Sequence, residues 1–132
     1  MRDNDSANCI DLKGRLRALC VQAGQPQTLV RLVCQELESW YLGDLASLSA
    51  AFDQPRVDTP AHRKRFSSPD TWQKPSLEVK RLVPIFQKNS GARVMAQYLN
   101  PETNNSHSLQ VFVAGVRKVA LDMGYEKASD LL

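Results

Sequence analysis

Apolar residues along the chain recur with two different spacings. Cys9, Leu12, Leu16, Leu19, Cys20 and Ala23 follow one another at three- and four-residue steps, the repeat of one helix face. Asp5 or Ser6 can cap this first helix, and Gly24 followed by Pro26 ends it. Leu29 to Cys34 then forms a short, β-branched, mostly apolar run, which predicts a buried strand. Helical spacing resumes from Leu37 to about Phe52, with Gly43-Asp44 able to interrupt it and Asp44 able to cap a new segment. Further on, Ser76 is expected to cap a helix carrying Leu77, Leu82, Val83 and Phe86, which Pro84 should kink or end. Ala92 to Leu99 predicts another helix, ended by Asn100-Pro101. Asn104-Asn105-Ser106 precede a last one, with Leu109, Phe112, Val113, Val116, Val119, Ala120 and Met123 facing inward and Gly124 at its end.

A lone buried strand needs neighbours on both sides, since one strand makes no sheet. The expected partner is a strand whose carboxyl end lies near Asp3, immediately before the first helix. A strand, helix and strand in that order form a right-handed parallel unit. The fold class predicted is therefore α/β and helix-rich, an incomplete parallel sheet followed by a helical portion. Residues 1–52 hold the strand-helix-strand segment and 76–132 the helical portion, packed on the same domain. Between them, 53–75 contains Pro55, Pro60, Pro69 and Pro75 and the run His62-Arg63-Lys64-Arg65, and is expected to be a long basic surface loop.

Composition changes this picture little. The chain has 132 residues, 42% of them hydrophobic and 23% charged, which suits one domain with one core. No apolar run approaches membrane-spanning length, and no signal-type leader opens the chain, so the expected location is the cytoplasm and no membrane partner is expected. Cys9, Cys20 and Cys34 have no metal-type pairing and are expected to be buried and reduced. A net charge of +3 is a mild hint of an anionic partner and no more.

Chemistry can be placed at two acidic groups. Asp3 and Asp5 are two apart, so in extended backbone they face one side, about 7 Å apart, and can hold a divalent cation such as Mg²⁺ between oxygen donors. The plainer alternative is that Asp5 caps the helix and Asp3 favours its positive end. Glu36 and Glu38 begin where the Leu29–Cys34 strand ends; parallel pairing would bring both acidic groups to a common rim, where open α/β sheets bind ligands. Alternatively they complement a helix dipole, with Trp40 and Leu42 in the core. Arg63, Lys64 and Arg65, with Lys88 and Arg93, could follow a phosphate backbone or be a solvated face. No P-loop, GxGxxG, GxSxG, HExxH or paired CxxC occurs.

Asp3-x-Asp5-x-x-x-Cys9-x-x-x-Lys13 and Arg31-Leu32-Val33-Cys34-Gln35-Glu36-Leu37-Glu38-Ser39-Trp40-Tyr41-Leu42-Gly43-Asp44, with Lys74-Pro75, Gln87-Lys88, Gly91-Ala92-Arg93 and Ser106-x-Ser108-x-x-x-Phe112 downstream, resemble an uncharacterised bacterial Toprim-like family, a DUF4276-like domain of unknown function. The resemblance implies a Toprim-like, Rossmann-like sheet and a Mg²⁺-dependent nuclease or phosphotransfer site. Asp3 and Asp5 would be metal ligands, and Glu36 and Glu38 would be catalytic. The glutamate that Toprim sites carry on an earlier strand maps onto nothing here, which implies a domain truncated at its N-terminus that can have lost independent catalysis. The alternative is a non-catalytic interaction or nucleic-acid-binding module, its exposed sheet edge completed by a partner or by self-association.

Overall fold

The computed structural model describes residues 2–4, 9–30, 32–34 and 36–124, with side chains from 10–30 and 36–124. The chain runs through β1 (Arg2–Asn4), α1 (Cys9–Gln22), β2 (Leu32–Cys34), α2 (Ser39–Leu42), α3 (Leu45–Phe52), α4 (Pro60–Arg65), a 3₁₀ turn (Pro69–Thr71), α5 (Pro75–Leu82), α6 (Lys88–Tyr98) and α7 (His107–Asp122). β1 and β2 pair in parallel, with Arg2 opposite Leu32, Asp3 opposite Val33 and Asn4 opposite Cys34.

This corrects the fold class. A Toprim-like or Rossmann-like parallel sheet is not the architecture: the molecule is dominated by helices, and the described strands make one ladder three residues long. Nor do the described residues offer the long open sheet edge expected to recruit a partner. Within the apolar run from Leu29 the strand covers Leu32–Cys34, and α1 and α7 both lie against it.

The core lies among α2, α3, α5, α6 and α7, where Leu42, Leu48, Val79, Val83 and Met95 are completely or almost completely buried. α3 packs on α6, while α2 touches α3, α5 and the 3₁₀ turn. Gly91 is needed here because a Cβ would sit 2.4 Å from the Phe86 ring, which itself lies against Tyr41 and Phe52.

The expected helix break is present. Gly43 ends α2, and Asp44 caps α3 by accepting a hydrogen bond from the Ser47 amide. Four other readings are corrected. The segment 53–75 is not an unstructured loop: Thr59 caps α4, Pro60 occupies its first turn, and Val57, Phe66, Pro69 and Pro75 are buried. Proline suits that first turn because its fixed φ is helical and no amide partner is needed there. Ser76 lies inside α5, which starts one residue earlier at Pro75, so it caps nothing. Finally, Cys20 is half-buried rather than enclosed, and Met123 is 71% exposed at the end of α7. The readings on Cys9 and Cys34 fall on side chains outside the described residues.

Candidate functional site

The block from Glu36 to Asp44 separates into residues that hold the fold and residues that do not need to. Trp40 packs on Phe112 with ring centroids 5.3 Å apart and donates from Nε1 to Ser108 Oγ at 3.2 Å. Asn104 donates to the Trp40 carbonyl at 2.8 Å and accepts from the Ser106 amide at 2.8 Å. At Gly43 the chain passes so close to this loop that a Cβ would lie 2.4 Å from Asn104 Oδ1 and 2.8 Å from the Ser106 amide nitrogen. Asp44 reaches both ways, accepting from Ser47 and, with its other oxygen, from the Asn100 amide at 2.8 Å. Asp70 completes the staple by accepting from Ser106 Oγ at 2.7 Å and from the Ser108 amide at 3.0 Å. Most of the acidic block is thus a clamp that fixes α7 and its preceding loop to α2.

Glu36 and Glu38 stand apart from that clamp. Both are buried, Glu38 to 2% exposure, and they lie two and four residues beyond the end of β2. Glu36 Oε1 accepts from Ser76 Oγ on α5 at 2.9 Å, and its Oε2 lies 3.8 Å from Lys88 Nζ on α6. Glu38 Oε1 lies 4.0 Å from the same ammonium. Two enclosed carboxylates therefore converge on one cationic group whose side chain is 62% exposed. Next to them in sequence, Ser39 Oγ is fully buried with no hydrogen-bond partner among the described residues.

The donor set bears on whether Mg²⁺ fits. Carboxylate and hydroxyl oxygens are the ligands that hard divalent cations select. The described residues contain no group of three or more His, Cys, Asp or Glu able to hold a metal, so Glu36 and Glu38 would need further oxygen ligands. The parallel register supplies a direction for them: Asn4, the last residue of β1, is opposite Cys34, the last of β2, so the chain leaves both strands at one rim. Asp3 lies in β1, whereas Asp5 and the side chain of Asp3 fall outside the described residues. On chemistry the pair fits a hard cation, with Lys88 occupying the position of positive charge.

The basic residues do not form one surface. Arg63 is a bidentate partner of Asp58, at 2.5 and 2.8 Å. The pairing holds the Asp58 carboxyl below its ordinary range, chiefly through the hydrogen bond from Arg63, and raises Arg63 in turn. Arg65 binds Glu78 at 3.2 Å and lies over the rings of Phe66 and Trp72. Lys88 faces the glutamates, while Lys64 and Arg93 are exposed. Sequence spacing alone missed the role of Glu78 and Lys88, because both depend on helices meeting across more than ten residues of chain.

Residues 5–117 match a domain of unknown function, DUF4276. The chain belongs to that family. No curated protein and no solved structure matches it. The DUF4276 match spans the Glu36–Asp44 clamp, its Asn104–Ser108 partner loop and Lys88 together, so clamp and acid pair are parts of one domain. No helix among the described residues is long and apolar enough to cross a membrane.

Proposed function

We propose that this DUF4276 domain binds a divalent cation at the Glu36–Glu38 rim and uses it on a phosphate ester, as a nuclease or phosphotransfer domain in the cytoplasm. One observation carries the reading: two buried carboxylates both lie within 4.0 Å of the Lys88 ammonium at the carboxyl end of β2, beside the carboxyl end of β1. Burying acids is costly unless a cation compensates them, so the fold maintains a place for positive charge. Asp3 and Asp5, at the neighbouring strand end, are the proposed additional metal ligands. Mg²⁺ held there would supply Lewis-acid polarisation and charge neutralisation for a scissile phosphate. Glu36 and Glu38 would fix the cation, Ser76 would orient Glu36 through its hydroxyl, and Lys88, on an exposed flexible stem, would swing towards phosphate oxygens. The free thiol of Cys20 suits a reducing compartment.

A second reading has its own support. Ser76 and Lys88 already engage Glu36, so the pair can act as a structural tie between β2, α5 and α6 in a non-catalytic module. Thermal melting with MgCl₂ or MnCl₂, against KCl at equal ionic strength, separates the two. The metal reading expects a saturable rise in Tm, lost in Glu36→Gln and Glu38→Gln and stronger in Lys88→Met, where the competing ammonium is gone. Absence of a divalent-specific rise in both wild type and Lys88→Met would remove it and leave the tie.

A further inference from the structure

A cleft between α4 and α5 has the opposite character to the acidic rim. It encloses about 310 Å³ and is lined by Arg56, Arg65 and Arg81, with His62, Phe66 and Glu78. Glu78 organises it. Its carboxylate side chain is only 10% exposed and accepts from Arg65 at 3.2 Å through one oxygen and from Arg81 at 2.8 Å through the other. Arg65 is held a second time, its guanidinium 5.4 Å above the Phe66 ring and 5.1 Å from the Trp72 ring.

Two guanidinium groups thus hold one carboxylate and Arg56 lines the same cleft, which keeps an excess of positive charge even after Glu78 is counted. Each guanidinium has five N–H donors in a planar fork, and Arg65 and Arg81 give only one N–H apiece to Glu78. Arg56 is exposed and has no ion-pair partner among the described residues. His62 is anchored through Nδ1, 2.9 Å from the Val57 carbonyl; a carbonyl only accepts, so the proton sits on Nδ1 and Nε2 is the nitrogen left for other contacts. Leu82, half-buried, gives the cleft an apolar wall, and the buried Phe66 ring supports Arg65 from beneath. A pre-oriented pair of guanidinium forks beside an apolar wall recognises a tetrahedral oxyanion carrying a small apolar group.

We infer that the Arg56–Arg65–Arg81 cleft is a binding site for a phosphate monoester whose organic part lies against Leu82. The site does not depend on the acidic rim. Its volume is at the small end of ligand pockets, which suits a phosphorylated small molecule rather than a long polymer.

Calorimetric titration of the whole chain with phenyl phosphate, in EDTA and at fixed ionic strength in chloride, tests this apart from any metal. Saturable binding is expected, stronger than that of inorganic phosphate, and weakened about tenfold or more in Arg56→Gln and Arg65→Lys. Arg56→Gln should retain the wild-type Tm without ligand, since Arg56 has no ion pair to lose, and Arg93→Gln on α6 should bind as wild type does. No saturable binding, or equal weakening in Arg93→Gln, would show only general attraction to positive charge and overturn the site. An oligonucleotide with a 5′-hydroxyl binding as well as its 5′-phosphorylated form would also overturn it, because internal diesters would then suffice.

Discussion

The first helix and the helices of the core carry the same periodic signal and end up in opposite circumstances. In α3 and α6 the apolar stripe is sealed, with Leu48 and Met95 at zero exposure. In α1, Leu12, Leu16 and Cys20 are half-covered, while Ile10, Leu19 and Val21 are 83%, 59% and 60% exposed. The difference is in what each helix meets. α3 lies along α6 and α2, whereas α1 rests on a strand of three residues. Periodicity says which residues share a face; it does not say whether another element is wide enough to cover that face.

The comparison predicts a wide gap in mutational cost. Leu48→Ala or Met95→Ala should destabilise by about 2–5 kcal/mol, because each removes side chain from a site with no exposed surface. Leu19→Ser on α1 should stay within about 0.5 kcal/mol. Chemical denaturation of the three variants measures both halves. A Leu19 cost similar to that of Leu48 would mean that α1 is covered in solution, and the contrast would fail.

Next in size is Gly43→Ala, which tests the clamp rather than the core. The new methyl would meet Asn104 Oδ1 and the Ser106 amide, both fixed by their own hydrogen bonds. Relief requires moving the loop that starts α7, at about 1–3 kcal/mol. The same substitution at Gly14 of α1, where nothing lies within 4 Å, should stabilise by up to about 1 kcal/mol through helix propensity. Opposite signs from one chemical change would locate the rigid half of the molecule.

Much of that rigid half was legible because its signals are local. The Gly43-Asp44 break, the stop before Pro84 and the Ser106 start of α7 each rest on residues within one turn of the event. The sheet was not, since a short apolar run satisfies a strand of three residues backed by helices as well as one strand of a wide sheet. Segment 53–75 misled for a related reason: prolines were read as breaking structure, whereas Pro60 and Pro75 each occupy a first helical turn. Of the site, the acid pair Glu36 and Glu38 was visible in the spacing. Its partners Ser76 and Lys88 were not, nor was the Arg65–Glu78 pair, because no spacing rule links α4, α5 and α6; only Glu78–Arg81, three apart on α5, follows helical spacing. The basic run suffered most: Arg63, Lys64 and Arg65 are consecutive in sequence, yet Arg63 turns to Asp58 and Arg65 to Glu78.

A smaller effect follows at the clamp's edge. Asp44→Ala removes the acceptor for both the Ser47 and Asn100 amides, and should cost about 1–2 kcal/mol, the usual range for a lost N-cap. Asp44→Asn keeps one acceptor oxygen and should recover part of that. Equal loss in both variants would show that charge, not acceptor geometry, holds the α3 start.

The smallest expected effect is electrostatic and separates the surface of α4 from its buried neighbours. Arg63 holds the Asp58 carboxyl below its ordinary value near 3.8, mainly through their hydrogen bond, against an opposing contribution from burial. A carboxyl whose pKa is lower folded than unfolded contributes stability that is complete above the unfolded value and fades as pH falls through the folded one. Asp58→Asn should therefore lie slightly below wild type in stability at neutral pH, and the two should converge as pH drops through and below about 3.8. Since Arg63 is well exposed, the gap should be a small fraction of the Leu48→Ala cost and should shrink further in high salt. Denaturation of both proteins from pH 7 to pH 3, at low and high salt, gives the answer. A gap that widened towards low pH would show that Asp58 is stabilised protonated, and the assignment of Arg63 as its charged partner would fall.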